Sequence, residues 1–188
     1  MLKAVQVVKE VQGNWWTICP ISGRLLKYTQ KPTDIDTSNM PDRVKQALYL
    51  CDQPFSCDPI IPSKIDISLS LKSIERSYRI LCFLRKKSYF LSLLYAGFQK
   101  SLFETTKEAM SAVLQLPENQ INRHLLCLPV SLMAIKLSKS FKKNGVLIIG
   151  AFIPTGEMHA WVIEDDSQVN FYDRDWINFH PLLAYIKE

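Results

Sequence analysis

The stretch from Cys127 to Asp173 constrains the fold more than any other part of the chain. It opens CLPVSLMAIKLSKSFKKNG, continues VLIIGAFIPTGEM and closes HAWVIEDDSQVNFYD. Pro129 has no backbone N–H, so it suits the first turn of a helix and would break an interior. The pattern predicts a helix from there to Lys143, stopped by Asn144-Gly145. Val130, Met133, Ala134, Leu137 and Phe141 share one face, and Leu128, Leu132 and Ile135 form a second. The first half of the helix is thus apolar nearly all round, which argues burial. Lys136, Lys139, Lys142 and Lys143 mark the end expected to emerge into solvent.

Val146 to Ile153 is a continuous apolar run, fit for a buried strand. Pro154-Thr155-Gly156 is a turn. Met158 to Glu164 and Gln168 to Asp173 read as two strands around Asp165-Asp166-Ser167. If those three residues close an antiparallel hairpin, Glu164 faces Gln168, Ile163 faces Val169, Trp161 faces Phe171 and His159 faces Asp173. The last three pairs then lie on one side of the sheet, because side chains alternate.

This order brings a cysteine at a helix start, a histidine and an aspartate into one set. Free N–H groups and the helix dipole at the first turn favour a thiolate at Cys127 and can receive an oxyanion beside it. A histidine then serves as base and an aspartate as its orienter. Taken singly, the cysteine reads as a small core residue, the histidine as structural and the aspartate as a turn cap. The ordered set, with Pro129 placing the helix start, favours catalysis.

CLPVSL at a helix start, a buried strand ending near Gly150, then HAWV and a downstream aspartate resemble the transglutaminase-like cysteine peptidases of lasso-peptide maturation. These enzymes remove the leader from a ribosomally made precursor. The resemblance spans roughly the last third of the chain, and its ordered set is more specific than HAWV alone. It implies Cys127 as nucleophile, His159 as base and Asp173 as orienter. NFYDRD offers Asp175 as a second candidate, and the hairpin register favours Asp173. The implied partners are the leader segment of a precursor peptide and an ATP-dependent cyclase that closes the lasso ring.

The 188 residues allow one medium domain or two small ones, and 47% hydrophobic residues are ordinary for a globular chain. The net charge of +5 is modestly basic, too small by itself to name a partner. Cys19, Cys51, Cys57, Cys82 and Cys127 make no CxxC pair and no metal spacing with histidine, so no metal is expected. No P-loop or other nucleotide motif is present, so no cofactor is expected. Lys3 and Lys9 bracket too short an apolar run for a secretory signal, which points to the reducing cytoplasm. Tyr89 to Phe98 is too short to span a bilayer.

Leu2 to Val8, Trp15 to Ile18 and Arg24 to Tyr28 read as strands, and Pro41 opens a helix through Cys51. Pro54, Pro59 and Pro62 mark a loop or linker. This order is similar to the leader-recognition domain that many lasso leader peptidases carry at the N-terminus, where the leader adds beside an exposed strand. Trp15 and Trp16 point to opposite faces, one to fill a core and one free to anchor a leader side chain. Lys9, Arg24, Lys27 and Lys31 do not make the dense patch that nucleic-acid binding wants.

Ser73 to Glu108 is strongly helical, with Gly97 as a break and a further helix from Thr105 to Leu114. Arg85-Lys86-Lys87 reads first as a solvated helix end. Gln120 and Asn122 precede the nucleophile as weak oxyanion candidates, and His124 is expected in solvent. His180 is a rival base that no strand pattern places opposite Cys127. The expected fold is α+β, with a small winged-helix-like N-terminal module over residues 1–72 and a transglutaminase/papain-like cysteine peptidase domain over 73–188. The competing functions are another acyl-transfer enzyme, an amidase or transglutaminase, and a peptide-binding escort protein with a vestigial triad.

Overall fold

The computed structural model describes residues 1–52, 71–98, 100–116, 127–165, 167–169 and 178–188. The protein is mixed α+β with antiparallel sheets. The apolar run after Gly145 forms β5 (Val146–Phe152), the middle of a five-stranded sheet of order β1-β8-β5-β6-β7. Its neighbours are β6 (Glu157–Glu164) and β8 (His180–Lys187), and the edges are β1 (Leu2–Gln6) and β7 (Ser167–Val169). A strand covered on both faces has no solvent side to make polar, hence its unbroken hydrophobic sequence.

Side chains alternate across this sheet. Leu147, Ile149, Ala160 and Val162 enter one core, while Val146, Ile148, Trp161 and Ile163 enter another. The second core is closed by α1 (Asp42–Cys51) through Val44 and Ala47. The first is closed by α2 (Leu71–Lys87), α3 (Tyr89–Gly97), α4 (Thr106–Leu114) and α5 (Cys127–Leu137). Every residue of α5 from Leu128 to Leu137 is buried, because the helix touches α2, α3, α4 and β6 at once.

Helix α5 stops at Leu137 rather than Lys143. The N–H of Lys100 bonds the Lys136 carbonyl at 2.8 Å, and those of Leu102 and Phe103 bond the Leu137 carbonyl at 2.8 and 3.0 Å. A crossing segment thus satisfies the terminal carbonyls that a longer helix would have used. A separate short turn, α6 (Phe141–Asn144), follows. Lys136, expected in solvent, is only 6% exposed. Its Nζ donates to the carbonyls of Tyr95 (3.0 Å) and Phe98 and lies 4.1 Å from the Tyr95 ring centre. The cation caps the negative end of α3.

The long helical pattern breaks at Ser88, whose hydroxyl accepts from Leu91 N at 3.4 Å and so caps α3. Gly97 ends α3, and Thr105 and Glu108 form a capping box at the start of α4.

Described residues of the N-terminal segment pack into the two cores of the larger sheet, Ile18 into the first and Val44 and Ala47 into the second. β2 (Lys9–Val11), β3 (Asn14–Ile18) and β4 (Leu25–Tyr28) make a three-stranded sheet, with β2 unforeseen as a strand separate from β1. β1, however, pairs with β8, from Leu2↔Lys187 to Gln6↔Leu183, and α1 packs on the larger sheet. Ile18 joins the same core as Ile74. The β5–β8 register skips Leu182, between Ile149↔Leu183 and Gly150↔Pro181. Pro181 has no N–H to offer a ladder, which suits a bulge. The Leu182 carbonyl accepts instead from Val7 N at 3.1 Å and Thr17 Oγ1 at 3.4 Å, tying the N-terminal segment to β8.

Among the described residues, no helix is long and apolar enough to cross a membrane.

Candidate active site

Cys127 is the first residue of α5 and is half-buried. Its Sγ lies 3.9 Å from the carbonyl oxygen of Met158 and close to the N–H of Ala160. These peptide groups flank His159, so the helix start meets β6 at the predicted histidine. One turn on, Ser131 Oγ donates to the Ala160 carbonyl at 3.3 Å, holding the helix in place on the strand.

The thiol's environment runs against the expected thiolate. Burial is the largest influence and pushes the Cys127 thiol above its ordinary value of 9.0. The N–H of Ala160, those of Leu128 and Cys127 itself, and the positive charge of Arg85 all pull it down, but by less. The amide contribution predicted for a helix start is therefore present and outweighed by desolvation.

His159 is 9% exposed. Its ring stacks on Trp161, with centroids 5.7 Å apart and planes at 19°, and meets Phe179 at 5.5 Å and 53°. Phe152 continues this group, 6.2 Å from Phe179. Alternation along β6 gives Met158 and Ala160 to the α5 side and His159 to the side of Trp161. The structure thus brings Cys127 to the backbone at His159, with the imidazole set in an aromatic group on the other face. Gly150 pairs with His159 and leaves room there, since a Cβ on it would stand 2.8 Å from the Trp161 ring. Neither Gly150 nor Phe179 stood out in the sequence as part of the site. A lone glycine inside an apolar strand is the signal that would have marked the first.

The hairpin register differs from expectation. Glu164 pairs with Ser167, Ile163 with Gln168 and Val162 with Val169, so two residues join the strands instead of three. Asp165 has φ of 48°, the left-handed conformation that two-residue primed turns need, and its carboxylate accepts from Asn144 Nδ2. A one-residue shift moves Val169 to the α5 side, where it is buried with Val162. The register that paired His159 with Asp173 is therefore not the one observed. Asp173 and Asp175 themselves lie outside the described residues, as do Gln120, Asn122 and His124.

His180 begins β8, opposite Ala151, a strand missing from the sequence reading. Its pKa is lowered by burial and by Lys9, against the opposing pull of Asp52; these two residues form an ion pair at 2.7 Å. Of the adjacent pair on β3, Trp16 packs on the first core and Trp15 lies beneath Lys31, 5.6 Å from ammonium to ring centre. Among the described residues, no group of three or more histidine, cysteine or acidic side chains is placed to hold a metal ion. No family model, curated protein or solved structure matches the chain.

Proposed function

We propose that the protein is a cysteine peptidase that removes the leader from a lasso-peptide precursor, with Cys127 as nucleophile, His159 as base and Asp173 or its neighbour Asp175 as the orienter. One observation carries this reading: Cys127 opens α5 against β6, with its sulfur 3.9 Å from the Met158 carbonyl. The chemistry further requires the His159 imidazole to turn from its aromatic group on the opposite face towards the sulfur. The Cys127 thiolate attacks the carbonyl at the leader–core junction. N–H groups of the first turn receive the oxyanion. The proton taken up by His159 passes to the leaving amine, and water releases the acyl-enzyme. The N-terminal strands hold the leader, which adds beside β2 or β4, the edge strands of their sheet. The released core passes to an ATP-dependent cyclase in the cytoplasm.

The His159 ring packed against Trp161 and Phe179 on the sheet face away from the sulfur, together with the raised thiol pKa, favours a second reading, in which the protein binds and escorts a peptide without cutting it. Cells carrying precursor and cyclase, analysed by mass spectrometry, separate the two. Leader loss that requires both Cys127 and His159, tested as Cys127→Ala and His159→Ala at unchanged protein level, supports the peptidase. Normal processing by Cys127→Ala refutes it. A graded defect in Asp173→Asn, with Asp175→Asn as comparison, identifies the orienter. A new isopeptide or a deamidated side chain would indicate a transglutaminase or amidase.

A further inference from the structure

Helix α2 carries six cations, Lys72, Arg76, Arg79, Arg85, Lys86 and Lys87, and one carboxylate, Glu75. That balance of +5 equals the formal net charge of the whole chain. The basicity of the protein is therefore concentrated on one helix. Buried Ile74, Ser77, Tyr78 and Leu81 define its inward face. Helical spacing puts Arg76, Arg79, Ile80, Phe83, Lys86 and Lys87 on the opposite face, and all six are exposed. Phe83 is 59% exposed, with the Lys87 ammonium 5.8 Å from its ring centre. Glu75, the single acid, is taken by Arg79 at 2.7 Å.

The helix dipole accounts for cations in the last turn, Arg85 to Lys87. It does not account for Arg76 and Arg79 in the middle, nor for Phe83 and Ile80 standing in water among them. Nucleic-acid phosphates reward the cations but have no use for an aliphatic side chain between them. A bound peptide rests in a concave groove, whereas this face is the outer side of a helix. Cations flanking exposed aromatic and aliphatic side chains on one helix face match a planar boundary, anionic outside and apolar beneath.

We propose that the outward face of α2 docks the protein on a bilayer surface containing anionic phospholipid. Arg76, Arg79, Lys86 and Lys87 meet the phosphates, and Phe83 and Ile80 enter the boundary between headgroups and acyl chains. The helix lies in the plane of the surface and does not cross it. The docking is independent of the chemistry at Cys127.

The test is co-sedimentation of the full chain with vesicles of phosphatidylcholine alone or mixed with phosphatidylglycerol, at low and high salt. Binding is expected to the mixed vesicles only, and to weaken with salt. Arg76→Gln and Lys86→Gln should each lower partitioning about fivefold. Phe83→Ser should lower it roughly tenfold, through lost apolar burial. All three positions are exposed, so the variants should keep the wild-type melting temperature. Lys45→Gln, on α1 across the sheet, should bind like wild type. Absence of binding to mixed vesicles overturns the proposal, as does equal binding by Phe83→Ser or equal loss in Lys45→Gln. Retention on poly-glutamate beads without vesicle binding would assign the face to an acidic protein instead.

Discussion

Gly150→Ala tests the packing around the candidate histidine. Gly150 pairs with His159 on one side and with Pro181 on the other. An added Cβ would stand 2.7 Å from the His180 carbonyl oxygen and 2.8 Å from the Trp161 ring. The oxygen is main chain and cannot rotate away, so β5 and β8 must separate or the indole must shift. Two effects oppose one another. Replacing glycine within a strand gains about 0.5–1 kcal/mol of backbone entropy, and overpacking a close-packed core costs about 1–3 kcal/mol. The steric term wins, leaving a net loss of about 1–2 kcal/mol. Urea unfolding followed by circular dichroism measures it, and tryptophan emission of the native state should change because Trp161 is the ring displaced. Gly156→Ala is the comparison: nothing lies within 4 Å of its Cβ, and its φ of +71° makes strain the only cost, about 1–2 kcal/mol. A Gly150→Ala protein as stable as wild type, with unchanged emission, would refute the close approach of β8 and Trp161 at this position. On the peptidase reading the same variant should also lose activity, since His159 stacks on the displaced ring.

Glu164 is buried and accepts from Thr106 N at 2.9 Å, Thr106 Oγ1 at 2.6 Å and Ser140 Oγ at 2.8 Å. Glu164→Ala should cost about 2–4 kcal/mol by stranding those donors, read from the same urea titration; a loss under about 1 kcal/mol would contradict the network. The Cys19 thiol is pulled below its ordinary value, chiefly by the Ser22 hydroxyl, while burial raises that of Cys127. Iodoacetamide near neutral pH should therefore label Cys19 before Cys127, by peptide mass spectrometry, and the reverse order would show that desolvation does not govern Cys127. Burial pushes the Cys51 thiol from 9.0 up to about 12. The unfolded chain then gives up this proton first, so the stability is fully present below about pH 9 and is lost as pH rises towards about 12. Cys51→Ala should flatten that part of the melting-temperature profile, and an unchanged slope would count against the burial of the thiol.

Several features were legible in the chain itself. Pro129 and the all-round apolar run located α5 and its burial, and Val146 to Ile153 read directly as a covered strand. Gly97 marked the end of α3. Each is a local matter, in which a missing N–H, an absent Cβ or a hydrophobic period acts on its own neighbours. The placement of Cys127 at a helix start and of His159 within a strand was legible for the same reason.

Other features were decided by partners far along the chain. Lys136 follows the period of an exposed lysine, yet the carbonyls of Tyr95 and Phe98 hold it inside. Helix α5 ends where residues 100–103 cross its last carbonyls. The hairpin closes on two residues, and that single step decides which face Val169 joins. β8 completes the sheet by pairing with the first strand of the protein. Chemistry at Cys127 shows the division most clearly. The helix start that lowers the thiol pKa is written in the sequence, but the burial that outweighs it comes only from the elements packed around the sulfur. Sequence carries the sign of each local interaction; the dielectric in which those interactions compete exists only once the chain has closed over them.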